Sequence, residues 1–98
     1  MTPFMTKICE YLDSISSECE IKGIFAGHNH YDHIGRTAGG IPIILIDCDC
    51  YNQTNTGNST KLGTINELAF DIVTVNYQTN KINCTRIGRG LNREINIK

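Results

Sequence analysis

The chain lacks the marks of several large protein classes. Nine basic residues stand against ten acidic ones, a formal charge of −1. That balance carries neither the basic footprint of a nucleic-acid binder nor an acidic tail. The longest apolar run, Ile41 to Ile46, is far too short to span a bilayer. No basic segment leading into a long apolar stretch opens the chain, so export is not expected and a cytoplasmic setting is. There is no internal repeat. Histidine is confined to one place: none precedes Gly27 and none follows His33.

What is present suits a single small domain, or part of one, over residues 1–98. A chain of this length buries roughly 60–65% of its unfolded surface, so the core is modest. Five cysteines with irregular spacing, and no export signal, point to reduced thiols. Cys48 and Cys50 are separated by one residue, where zinc-binding pairs are usually about two to four apart, so they read as a strand end. Asp47 and Asp49 beside them read the same way. The glycosylation-like triplets at Asn52, Asn58 and Asn83 carry no weight without a secretory signal.

Hydrophobic spacing divides the chain. Thr2-Pro3 is a helix start, a capping hydroxyl ahead of proline at the first helical position. Phe4, Ile8, Tyr11, Leu12 and Ile15 then recur at helical spacing through about Ser17. Lys22 to Ala26 reads as a short strand, and the helix-then-strand order suits an α/β layer with the helix over one sheet face. Tyr31 to Gly40 is polar and glycine-bearing. Ile41 to Asp47 reads as a buried strand with Pro42 near its start. Residues 50–66 are too polar to pack and read as a long surface loop. Leu68–Tyr77 and Lys81–Ile87 form a β-hairpin around Gln78-Thr79-Asn80. Leu91 to Lys98 has too little apolar content to place.

The most telling stretch follows the first strand: Gly27-His28-Asn29-His30. In extended backbone, residues two apart point to one side, so both imidazoles can face one site. Imidazole is a common ligand for zinc, manganese and iron, which makes the loop a candidate metal site. A solvated polar loop is the plain alternative, since two ligands do not make a structural site.

The run His28-Asn29-His30-Tyr31-Asp32-His33 fits two patterns. Gly-His-x-His resembles the last metal-ligand block of calcineurin-like metallophosphoesterases; His-x-His-x-Asp-His resembles the zinc block of the metallo-β-lactamase superfamily. The lactamase-type pattern places further histidines downstream and runs from its last His into a helix. Here residues 34–98 hold no histidine, and the chain continues Ile34-Gly-Arg-Thr-Ala-Gly-Gly to Ile41-Pro42. From about Ile24 to Arg93 the chain is similar to the C-terminal third of calcineurin-like phosphoesterases, in Ile24-Phe-Ala-Gly-His-Asn-His-Tyr-Asp32, Gly40-Ile-Pro-Ile43, Phe70-Asp-Ile-Val-Thr-Val75 and Thr85-Arg-Ile-Gly-Arg-Gly90.

That resemblance implies an α/β fold, the C-terminal part of an αββα sandwich with one N-terminal helix, then mainly strands and a C-terminal hairpin. It implies that His28 and His30 each ligate one of two divalent metal ions (Mn, Fe or Zn), which together activate a hydroxide toward a phosphate mono- or diester. Asn29, Asp32 and His33 are candidates for supporting an imidazole or lining the substrate mouth. Asp32 is otherwise a turn former and His33 a solvated loop residue. Arg86 and Arg89 are weighed as phosphate contacts, but exposed strand and turn arginines are the expectation. No catalytic residue is assigned. The family's earlier blocks, Asp-x-His, Gly-Asp-x-x-Asp and Gly-Asn-His-Asp/Glu, do not occur before Gly27. The chain thus carries two of the roughly eight ligands such a centre needs, an incomplete site expected to be inactive alone. An upstream polypeptide would supply the rest. The alternatives are a metallo-β-lactamase-like hydrolase fragment or a non-catalytic assembly module.

Overall fold

The computed structural model describes residues 3–27, 31–47 and 62–97. The fold is mixed α/β: one helix and two three-stranded sheets. Thr2, the His28–His30 triplet, and Cys48, Asp49, Cys50 and most of the polar segment up to residue 61 lie outside the described residues.

Helix α1 (Pro3–Ile15) forms where the helical spacing places it. At its end the hydroxyls of Ser14 and Ser16 donate to the carbonyls of Tyr11 and Asp13, three residues back, at 2.6 and 2.7 Å. The buried position is Cys9, while Phe4 and Tyr11, expected on the packed face, are exposed. The helix was expected to cover a sheet face; its hydrogen bonds instead reach the turn after Arg36. Asp13 accepts from the Thr37 hydroxyl at 2.6 Å and the Gly39 amide at 3.1 Å. Amphipathic spacing sets which stripe can be buried, not which partner buries it.

The first sheet comprises β1 (Ile24–Ala26), β2 (His33–Arg36) and β3 (Pro42–Leu45) in the order β1-β3-β2. β1 runs parallel to β3, with Phe25 opposite Ile44, and β2 runs antiparallel to it, with Ile34 opposite Ile44. β2 lies in the polar stretch from Tyr31 to Gly40 and was not foreseen as a strand. It has no strong alternation of its own and exists by pairing with β3. Ile41, Pro42, Ile43 and Ile44 are buried, as the continuous apolar run implies for a central strand. Pro42 is the strand's first residue, where a missing amide is tolerated.

The second sheet is an antiparallel meander, β4 (Ala69–Asn76), β5 (Lys81–Gly88) and β6 (Arg93–Asn96). The expected hairpin is present in unbroken register from Ala69↔Gly88 to Asn76↔Lys81. Asn76 Oδ1 accepts from the amides of Gln78 and Thr79 at 3.0 and 3.1 Å, and Asn80 takes the left-handed conformation that asparagine tolerates, φ 57°. β6 falls in the unplaced tail. Ile95 and Ile97 are buried and alternate with exposed Glu94 and Asn96, a period-two signal too short to register beside its polar neighbours. A 3-10 turn, Ile65–Glu67, precedes β4, where a loop was expected.

Ile44 of the first sheet packs among Ile82, Cys84, Ile95 and Ile97 of the second, with Ile46 and Val75 alongside. Each such side chain contributes about 1.5–3 kcal/mol when fully buried. Both sheets contribute side chains to this core. Phe70 and Ile72 stand on the outer side of β4 and stay exposed. Among the described residues no helix is long and apolar enough to cross a membrane.

Candidate functional site

β1 ends at Ala26, and the Ile46 amide donates to the Ala26 carbonyl at 3.0 Å, carrying the β1–β3 pairing one step past β3. Gly27 and Asp47 therefore leave the sheet at the same end of two parallel strands. Carboxyl ends of parallel strands are a common place for functional loops. His28, Asn29 and His30 follow Gly27 directly and lie outside the described residues. The chain is described again from Tyr31.

Asp32, one residue before β2, belongs to a cluster of three aspartates and three arginines. Arg86 Nη2 donates to Asp32 Oδ1 at 2.5 Å and Nη1 to Oδ2 at 2.8 Å, a two-point grip. Arg86 Nε donates to Asp71 Oδ1 at 2.7 Å. Arg93 Nη2 bonds the other oxygen of Asp71, and its Nη1 lies 3.3 Å from Asp32 Oδ1. The Asp47 amide donates to Asp32 Oδ1 at 3.0 Å, and the Asp47 carboxylate lies 3.5 Å from Arg89 Nε. Arg89 in turn donates to the Glu67 carbonyl at 3.1 Å, capping the 3-10 turn.

Arg86 and Arg89 were expected on the surface, and the structure corrects this: both are buried, as is Asp47, which was read as a plain strand end. Arg86 faces inward because Asp71, its partner across β4–β5, places a carboxylate beside it. Arg89 faces inward because two glycines bend the chain around it. Gly88 has φ 105°, and a Cβ there would overlap the Leu68 carbonyl. Gly90 has φ 106°, and a Cβ there would strike Arg86 Nη1 and come within 3.0 Å of Asp32 Oδ2. Only glycine fits both needs. The Gly88-Arg89-Gly90 spelling is the one local signal of the cluster; the aspartates that complete it are scattered along the chain.

The cluster's electrostatics follow from this geometry. Burial pushes the Asp32 carboxyl up, but hydrogen bonds from Arg86 and the Asp47 amide, with the charges of Arg86 and Arg93, outweigh it and hold it below its ordinary value. Burial likewise opposes the Arg86 charge, yet Asp32 and Asp71 overcome it and push its pKa up. The Cys84 thiol is pushed up, chiefly by burial. These carboxylates face fixed cations, which is an anchoring arrangement and not a donor set for a metal.

His33 is exposed, as expected, but begins strand β2 and is not in a loop. Its ring lies edge-on to Tyr31 with centroids 6.4 Å apart. Among the described residues no group of three His, Cys, Asp or Glu side chains is arranged to hold a metal ion. His28 and His30, the imidazoles that the sequence offers as metal ligands, lie outside the described residues. A separate cavity of about 300 Å³ is lined by α1 and the turn after β2. Its Asp13 and Arg36 are engaged, Asp13 by Thr37 and Gly39, Arg36 by the carbonyls of Gly40 and Asn96.

Comparison with known proteins finds no matching family model, no matching curated protein and no matching solved structure.

Proposed function

We propose that the chain is the C-terminal portion of a calcineurin-like metallophosphoesterase, with His28 and His30 as ligands to its two divalent metals. The observation that carries this reading is the course of the chain around the histidines. A short strand parallel to a buried neighbour ends at Ala26, just before Gly27, and the chain re-enters the same sheet as an antiparallel strand at His33. The metallo-β-lactamase pattern calls for a helix at that point, so β2 weighs against it.

In the complete domain, paired metals would supply Lewis acidity and a nucleophile for hydrolysis of a phosphate mono- or diester. The part of this chain is to present two neutral imidazoles, which bind a metal without cancelling its charge. The remaining ligands come from an upstream segment or a separate upstream polypeptide. β1 lies at a sheet edge among the described residues, so a further strand has a place to pair.

Purified chain with Mn²⁺ and bis-p-nitrophenyl phosphate is the test. The chain alone shows no turnover; added upstream polypeptide carrying the Asp-x-His and Gly-Asn-His-Asp/Glu blocks restores it, and His28→Ala or His30→Ala abolishes the restored activity. Robust turnover by the chain alone, or restored activity indifferent to both substitutions, overturns the reading.

A further inference from the structure

We propose that the chain forms a weak two-fold dimer, in which β4 pairs antiparallel with the β4 of a second copy and two three-stranded sheets become one of six strands. The proposal is independent of the metal-ligand reading above. Among the described residues β4 is an outer strand, with β5 as its one neighbour in the sheet. It is eight residues long, and its register with β5 runs unbroken from end to end. An outer strand is a template for another strand, and proteins ordinarily blunt it with short length, proline, a bulge or charge. The other outer strands are blunted in this way. β1 has three residues, β2 has four and ends in Arg36, and β6 has four and carries Arg93 and Glu94. β4 has no proline and no bulge, and its one charge is hidden: the Asp71 side chain is turned inward, 1% exposed, and bonded to Arg86 and Arg93.

The chemistry of this edge selects a second copy. A two-fold axis perpendicular to the sheet sets two β4 strands antiparallel and keeps the outer faces of both copies on one side. With Ile72 on the axis, Ile72 meets its own counterpart and Phe70 lies opposite Thr74 of the other copy. Phe70 is 44% and Ile72 55% exposed, and Ile87 and Thr85 of β5 stand beside them on the same face. The strip is uncharged, so it meets its own image with no like charges opposed, and it offers an acidic or basic partner nothing to recognise. The charges that this face does carry, Lys81 and Glu94, pair with each other at 2.7 Å. Each copy uses its single β4 edge, so the assembly closes at two. Two half-exposed side chains and a short ladder from each copy bury less than the ~1,200 Å² at which standard interfaces begin, which makes the dimer transient. Dilute chain therefore unfolds as a monomer.

Sedimentation of the purified chain, at concentrations rising to millimolar, is the test. The average mass climbs from 10.9 kDa toward twice that value and stops there. Ile72→Lys and Ile72→Glu, each folded by circular dichroism, weaken the dimer about tenfold or more, because like charges then face each other across the axis. Mixed in equal amounts, the two variants dimerise again, because opposite charges then meet. Leu91→Lys is the control: it places a charge on an apolar side chain that is 80% exposed in the turn after β5, and leaves association unchanged. A monomer at every concentration overturns the proposal, whatever becomes of the phosphoesterase reading. So does growth past two copies, or equal weakening by Leu91→Lys, either of which reports unspecific clustering. Failure of the mixed variants to associate overturns pairing about Ile72.

Discussion

Arg86 and Asp32 lie 54 positions apart and meet through two hydrogen bonds of 2.5 and 2.8 Å, joining the second sheet to the segment that leads into the first. The Arg86 side chain is 1% exposed and that of Asp32 15%, so little water screens the pair.

Arg86→Met removes one member of that cluster and leaves Asp32 and Asp71 facing fewer cations in a buried place. Breaking a buried pair in this way costs about 3–5 kcal/mol. Urea unfolding followed by circular dichroism measures it. A loss below about 1 kcal/mol, the range of exposed pairs, would mean the cluster is solvated.

Stability of the metal-free chain falls in acid, in part through Asp32. Its folded carboxyl titrates below the ordinary value of 3.8. A depressed folded pKa gives stability that is fully present above the unfolded pKa and lost as pH falls through the folded one. The contribution is therefore flat above about pH 5 and declines below about pH 4. Asp32→Asn shows a shallower acid limb than wild type in urea unfolding at stepped pH. Identical limbs would remove Asp32 from the account.

Gly88→Ala and Gly90→Ala each place a Cβ against a fixed neighbour in a left-handed backbone, at φ 105° and 106°. Backbone strain of this kind costs about 1–3 kcal/mol before any clash is counted. Gly63 also has a positive φ, 75°, but open space around it. Gly63→Ala therefore lowers the unfolding midpoint least of the three, and equal losses would show that the close approaches do not matter.

The shared core responds by position. Ile44→Ala and Ile82→Ala empty sites that are 0% exposed and cost about 2–5 kcal/mol. Ile72→Thr, on the exposed side of β4, changes stability by no more than about 0.5 kcal/mol. Chemical denaturation of the three variants separates them, and a large loss from Ile72→Thr would reveal a covering layer.

Local pattern was enough for much of this molecule. Helical spacing from Phe4 to Ile15 gives α1, the unbroken apolar run gives β3, and alternation on either side of Gln78-Thr79-Asn80 gives the hairpin. Each rests on forces between residues close along the chain: side chains that share a helix stripe, β-branched residues on a pleat, asparagines that close a turn. The histidine pair is a local signal of the same kind, two residues apart, and lies outside the described residues.

Three things were settled only when distant segments met. His33–Arg36 became a strand because β3 offered a ladder, and Arg93–Asn96 because β5 did. Arg86 and Arg89, unremarkable in a polar stretch, became buried because Asp71, Asp32 and Asp47 arrive beside them from three other parts of the chain. A charge is affordable inside a protein only where an opposite charge stands within a few ångströms, and no spacing along one segment reports that distance. The amino-acid order determined which stretches are helix, central strand and hairpin; the packing of the two sheets decided which arginines lie inside and what Asp32 holds.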